Sequence, residues 1–208
     1  MKIVVLANEF QKAEILAQSG QTPLGVEWEK QLTASINCNS LIDLLFEPTP
    51  SRIALLQKCN ATLIVINDVE GVLKELPSNF VRINGWPGFL KRELVEAATL
   101  NEDNKIVATS IFEKFNKKTE WVPSIEGLIT PRIVSMIINE AYFALEENVS
   151  TKAETDIAMK LGTNYPFGPF EWAQLIGLPK IYSLLKALTV SNSRYTPCKL
   201  LEQEALSL

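Results

Sequence analysis

Through its first 125 residues this chain alternates short runs of β-branched and aliphatic side chains with stretches of helical periodicity, and past Gly127 the alternation stops. That switch constrains the fold more than any other feature. Alternating strands and helices build a largely parallel sheet, because parallel neighbours need a crossover and the crossover helices cover the sheet faces. Lys2–Ala7 reads as the first strand and Glu9–Gln18 as the helix after it, with a break at Gly20-Gln21-Thr22-Pro23. Leu41–Phe46 is the next strand. Pro48-Thr49-Pro50-Ser51 then opens a helix over Arg52–Lys58. Ala61–Ile66 is continuously β-rich, as expected of a strand buried on both faces. Val72–Leu76 reads as a short helix ended near Pro77. Phe80–Ile83 and Leu94–Leu100 are further strands, Asn104–Phe115 an amphipathic helix, and Glu120–Pro123 closes the layer.

In the second part Ile129, Ile133, Ile137, Ala141 and Leu145 recur at helical spacing. Ser150 is placed to cap a second helix, with Ala153 and Glu154 in its first turn, and Gly162 to end it. Helices follow over Glu171–Ile176 and Lys180–Leu188. The expected fold class is therefore α/β plus all-α: a sheet domain over residues 1–125 and a helical domain over residues 126–208.

Composition excludes more than it selects. A hydrophobic content of 47% supports one good core or two small ones. The net charge of −4 gives no electrostatic reason to expect nucleic acid or an anionic membrane as partner. No apolar run approaches the ~18 residues needed to span a bilayer. The apolar stretch at Met1–Ala7 is too short for a signal peptide and reads as a strand. Cys38, Cys59 and Cys198 are odd in number and widely spaced, which suggests neither a disulfide framework nor a metal site and points to a reducing cytoplasm. The chain has no histidine at all, so the commonest general acid–base group near neutrality is missing.

Four ordered segments carry a resemblance. They are Asn139-Glu140-Ala141 with the acidic stretch after it, Asp156-Ile157-Ala158-Met159-Lys160-Leu161-Gly162, Asn164-Tyr165-Pro166-Phe167-Gly168-Pro169-Phe170-Glu171, and Arg194-Tyr195-Thr196-Pro197-Cys198-Lys199-Leu200-Leu201. This part of the chain resembles the C-terminal domain of the 3-hydroxyacyl-CoA dehydrogenase family, which reads N-E-A, D-x-A-M-x-x-G, G-Y-P-M-G-P-F-E and Y-x-P-x-x-L-L. The resemblance implies a Rossmann-like, mostly parallel sheet domain followed by a helical, 6-phosphogluconate-dehydrogenase-like one. It also implies NAD-dependent oxidation of 3-hydroxyacyl-CoA in fatty-acid metabolism, homodimerisation through the helical domain, and an acyl-CoA cleft between the domains. With little chain between Ala7 and Ile42, part of the dinucleotide sheet is expected to be missing, making the first domain a truncated one.

Against that pattern the chain departs at several functional positions. The dinucleotide turn G-x-G-x-x-G, whose glycines let backbone amides approach pyrophosphate, is replaced by Ala7-Asn8-Glu9-Phe10-Gln11-Lys12. An acidic residue does follow at about the interval the ribose-binding rule expects, at Glu27 or Glu29. The family's catalytic histidine falls at Asn84, whose carboxamide cannot accept a proton near neutrality, while its orienting glutamate is matched by Glu96. The substrate-contacting serine falls in Asp68-Val69-Glu70, and the substrate asparagine at Pro131.

Together these departures predict a catalytically degenerate member with no cofactor and no metal, one that could retain an acyl-CoA-like small molecule. An active NAD-dependent oxidoreductase with a rearranged site, using Glu96 or Glu93 as base, is the first alternative. A dimeric interaction module without ligand is the second.

Overall fold

A seven-stranded sheet occupies the first of the two units into which contacts divide the chain, Met1–Leu128 and Ile129–Leu208. The sequence had put the boundary at residues 125 and 126. The computed structural model describes residues 1–71 and 76–207. Its strands are β1 (Ile3–Leu6), β2 (Val26–Glu29), β3 (Ser40–Asp43), β4 (Leu63–Asn67), β5 (Phe80–Ile83), β6 (Leu94–Ala98) and β7 (Lys118–Trp121), in the spatial order β2-β1-β3-β4-β5-β6-β7. Every neighbouring pair is parallel except β5 with β6. Helices α1 (Glu9–Leu16), α2 (Pro50–Lys58) and α3 (Asp103–Lys114) belong to the same unit.

Successive residues of a strand point to opposite faces, and both faces here carry a core. Ile3, Val5, Ile42, Val65 and Val81 pack on one side with Ile111, Phe112 and Phe115, while Val4, Leu6, Leu41, Ile64, Ile66 and Phe80 pack on the other with Leu56. Two-sided burial is why the central strands read as unbroken apolar runs.

Between Ala7 and Ile42 the structure inserts a strand that the sequence did not announce. In β2 the exposed Glu27 and Glu29 alternate with the half-buried Val26 and Trp28, and its pairing partner is β1, with Ile3 opposite Val26. Four residues with one wet face give a weak local signal, and the pairing fixes them. The strand expected over Leu41–Phe46 stops at Asp43, whose carboxylate accepts the Leu45 N–H at 3.1 Å in a turn. The helix expected at Val72–Leu76 falls largely on residues 72–75, outside the described residues.

The second unit is helical: α4 (Thr130–Glu146), α5 (Lys152–Thr163), α6 (Pro169–Ile176), α7 (Leu178–Thr189), a short 3₁₀ turn (Ser193–Tyr195) and α8 (Lys199–Leu206). Proline opens α4, α6 and α7, where a missing N–H costs nothing. The cap of α5 is Thr151 rather than Ser150. Its hydroxyl accepts the Glu154 N–H at 3.3 Å, and the Glu154 carboxylate accepts the Thr151 N–H at 3.1 Å. Gly162 lies inside α5, which ends instead at Asn164 in the left-handed conformation, φ 56°.

One buried cation tests the packing of the sheet unit. Lys117 is buried and donates to the Leu90 and Arg92 carbonyls at 2.5 and 2.7 Å. Burial lowers its pKa from 10.5 to about 8, against the pull of Glu14. Below the folded value both states hold the proton, and the native state bears the whole cost of burying charge. As pH rises from there towards the unfolded value, the native state releases its proton first, so that cost is relieved and stability increases. The unfolding free energy of the native chain minus that of Lys117→Met should therefore climb from about pH 8 to about 10.5 in urea titrations. A difference that stays flat or falls across this window would contradict the assignment.

Candidate functional site

In an open parallel sheet, ligands sit beyond the carboxyl ends of the strands where the strand order reverses. Here that point lies between β1 and β3. The chain passes from β1 through Ala7 and Asn8 straight into α1, and no residue of this turn adopts positive φ. Asn8 caps the helix. Its side chain accepts the Gln11 N–H at 2.8 Å, and the Gln11 carboxamide oxygen accepts the Asn8 N–H at 3.1 Å. The Gln11 amide nitrogen then donates across the reversal point to the Leu44 carbonyl at 2.7 Å. The N–H groups of Asn8 and Gln11 are thus satisfied by the chain itself. Glu9 pairs with Lys30 at 3.3 Å, and Phe10 is 49% exposed. Of the two acids on β2, Glu27 pairs with Lys2 at 2.9 Å, while Glu29 stands at the carboxyl end of the strand opposite Leu6.

Asn84 and Glu96 are brought together. They face each other across the antiparallel β5–β6 pair, where the Asn84 N–H donates to the Glu96 carbonyl at 3.1 Å, and both are buried. The Asn84 side-chain oxygen accepts the Trp86 N–H at 3.3 Å. The loop after Asn84 is held from the end of β4: Asn67 accepts the Gly85 N–H at 2.9 Å and donates to the Gly85 carbonyl at 3.2 Å. The approach is so close that a Cβ on Gly85 would stand 2.6 Å from the Asn67 carboxamide carbon. Beneath the same loop, the buried Glu14 of α1 accepts the Gly88 N–H at 2.7 Å, and desolvation raises its pKa. Glu93 is elsewhere. It precedes β6 and pairs with Lys118 at 2.7 Å, whose hydrogen bond and charge hold its carboxyl below the usual range.

In the segment where the serine is expected, Asp68 makes structural contacts. Asp68 is buried against Arg82, whose Nε lies 3.1 Å from its Oδ2 while donating to the Asp68 backbone carbonyl at 3.1 Å. The rest of the guanidinium reaches the carbonyls of Val69 at 3.5 Å and Ile125 at 3.4 Å. Burial pushes Asp68 up and Arg82 pulls it back. A second buried pair, Asp43 with Arg52, closes the end of β3 through two contacts of 2.8 Å. Pro131 lies buried in the first turn of α4 within the helical unit.

Sequence reasoning missed Gln11, Glu14, Asn67 and Arg82. The spacing Asn8-x-x-Gln11 was a readable capping box. The others depend on partners 14 or more positions away, such as Arg82 on Asp68. Among the described residues no three His, Cys, Asp or Glu converge as metal ligands, and no helix is long and apolar enough to cross a membrane.

Residues 127–206 match the family model for the 3-hydroxyacyl-CoA dehydrogenase, C-terminal domain. The 3-hydroxyadipyl-CoA dehydrogenase of Escherichia coli K12 is 37% identical over 115 residues, 54% of this chain and 24% of that protein. The 3-hydroxybutyryl-CoA dehydrogenase of Clostridioides difficile is 33% identical over 147 residues, 68% of this chain and 52% of that one. The chain thus spans from about a quarter to about half of the length of these relatives. The crystal structure of (S)-3-hydroxybutyryl-CoA dehydrogenase from Ralstonia eutropha superposes with a TM-score of 0.75 over 99% of this chain and 93% of that one, at 16% identity, a likeness of fold.

The Asp68–Arg82 pair yields a stability prediction. Removing the cation strands a buried carboxylate, so Arg82→Met should cost about 3–5 kcal/mol near neutral pH. Asp68→Leu combined with Arg82→Met should recover most of that loss. Urea unfolding of the three proteins gives the answer, and a single-variant loss below about 1 kcal/mol would show that the pair is not a buried one.

Proposed function

The chain belongs to the 3-hydroxyacyl-CoA dehydrogenase family, and on that premise we propose that it is a member without hydride transfer, a dimeric scaffold that holds an acyl-CoA-like ligand and no dinucleotide. The observation that carries this reading is the bridge from Asn8 through Gln11 to the Leu44 carbonyl, which fills the reversal point with the chain's own groups. Three further features support it. A carboxamide, Asn84, stands where proton transfer needs a base. An ion-paired carboxylate, Asp68, lies in the segment where a substrate hydroxyl partner is expected. Pro131 offers no amide at the start of α4. Losing the base alone costs on the order of 10² to 10⁴ in rate.

Dimerisation is argued from the helical unit alone. Val149, Ala153, Ile157 and Leu161 recur every fourth position on and before α5, and Val149, Ile157 and Leu161 are 70%, 54% and 83% exposed. A stripe of that kind on a helix suits burial against a second copy. Cys38, Cys59 and Cys198 are buried free thiols, which suits the cytoplasm. An active oxidoreductase is the second reading. It is favoured by Glu96 beside Asn84 and by Glu29 at the end of β2.

Two measurements test the proposal. A bound dinucleotide at about 100 times its dissociation constant would add about 2.7 kcal/mol to stability. NAD⁺ and NADH should instead leave the unfolding temperature unchanged, and the protein should not oxidise NADH with acetoacetyl-CoA. Turnover that disappears in Glu96→Ala would establish the second reading. Separately, Leu161→Glu should convert a dimer to a monomer in sedimentation, and a native chain that sediments as a monomer would remove dimerisation from the account.

A further inference from the structure

Asn84-Gly85 is the one Asn-Gly pair in the sequence, and it stands where β5 gives way to the loop that carries Trp86. Packing requires the glycine. The Asn67 carboxamide, at the end of β4, comes so close that a Cβ on residue 85 would stand 2.6 Å from its carbon. That requirement has a chemical consequence. With no Cβ in the way, a glycine nitrogen reaches the carboxamide carbon of a preceding asparagine more freely than any other residue's nitrogen does. The fold therefore creates the sequence context in which an asparagine cyclises most readily, and then occupies both reacting groups. The Asn67 carboxamide oxygen accepts the Gly85 N–H at 2.9 Å, and its nitrogen donates to the Gly85 carbonyl at 3.2 Å. The Asn84 side-chain oxygen accepts the Trp86 N–H at 3.3 Å, and the Asn84 backbone N–H donates to the Glu96 carbonyl at 3.1 Å. Asn84 is only 4% exposed, which restricts the water that hydrolysis would need.

We propose that Asn84 is a site of spontaneous deamidation, and that Asn67 guards it by holding the Gly85 nitrogen. When the loop opens, the Gly85 nitrogen gives its proton to solvent base and attacks the Asn84 Cγ. The N–Cγ bond forms, the Cγ–Nδ2 bond breaks, and ammonia leaves after taking up one proton in return. One water then opens the cyclic imide, which leaves aspartate or isoaspartate at position 84. No oxidant, metal or second protein enters the balance. The product is a carboxylate across the β5–β6 pair from Glu96, where a neutral carboxamide stood. Neighbouring carboxylates out of water resist ionising together, so the modified chain carries a charge that its loop was not built to bury. This chemistry stands whether or not the chain binds a dinucleotide.

The test incubates the full chain at one mildly alkaline pH, folded and in denaturing urea, and reads conversion at Asn84 by peptide mass spectrometry. Asn192-Ser193, in the helical unit, is the internal reference. Conversion at Asn84 in the folded chain should be slower than in urea by about tenfold or more, the size expected of an opening that breaks two hydrogen bonds. Asn67→Ala should restore about tenfold of that rate in the folded protein and leave Asn192 unchanged. If Asn67→Ala fails to fold, conversion at Asn192 rises as well, and a second measurement in the unaltered chain decides. Over sub-denaturing urea, conversion at Asn84 should rise in proportion to hydrogen exchange of the Gly85 amide, since one opening exposes both. The proposal is overturned by no conversion at Asn84 even in urea, by conversion equally fast in the folded chain, by a folded Asn67→Ala with an unchanged rate, or by conversion that does not follow Gly85 exchange.

Discussion

The Gln11 carboxamide ties three pieces of backbone together: the β1–α1 turn through the Asn8 N–H, the first turn of α1, and the end of β3 through the Leu44 carbonyl. A helix that follows a parallel strand after a two-residue turn leaves N–H groups facing the place where anions usually bind. In this chain the Asn8–Gln11 box satisfies the amides of those two residues from within. The capping oxygen of Asn8 accepts the Gln11 N–H, and the Gln11 carboxamide oxygen accepts the Asn8 N–H. The turn gains helix stability by these contacts.

Around that closure, polar groups at the carboxyl ends of the strands are likewise turned inward. Asp43 and Arg52 pin the end of β3, Asp68 and Arg82 pin the segment after β4 to Ile125, and Asn67 pins Gly85. Glu14 and Lys117 hold the loop from Gly88 to Arg92 from below. Charges this deeply buried are costly unless paired or hydrogen-bonded, and each one here has backbone or an opposite charge to answer it. The carboxyl ends of these strands are thus knitted into the protein's own hydrogen bonding.

Much of this architecture was legible in the sequence. The parallel sheet followed from buried apolar runs such as Ala61–Ile66, and the helical half from the four-residue recurrence of Ile129, Ile133 and Ile137. The departures at the candidate positions, Asn84, Pro131 and the glycine-free turn, are read from the sequence alone. What stayed hidden shares a physical cause. β2 exists because β1 pairs with it, and its alternation of Glu and half-buried residues over four positions is too brief to announce a strand. Lys117 and Glu14 look like surface charges in sequence, and only the loop carried over them makes them interior. The cap of α5 moved by one residue because Thr151, unlike Ser150, has Glu154 at the spacing a capping box needs.

The account rests on the Asn8 and Gln11 N–H groups being already spoken for. Native-state hydrogen exchange of these two amides, measured with and without saturating NADH, tests this most directly. Both should exchange slowly in the free protein, as helix-capping bonds require, and at the same rate with NADH present. Fast exchange that slows when NADH is added would mean that the amides were waiting for phosphate, and the closed crevice would have to be given up.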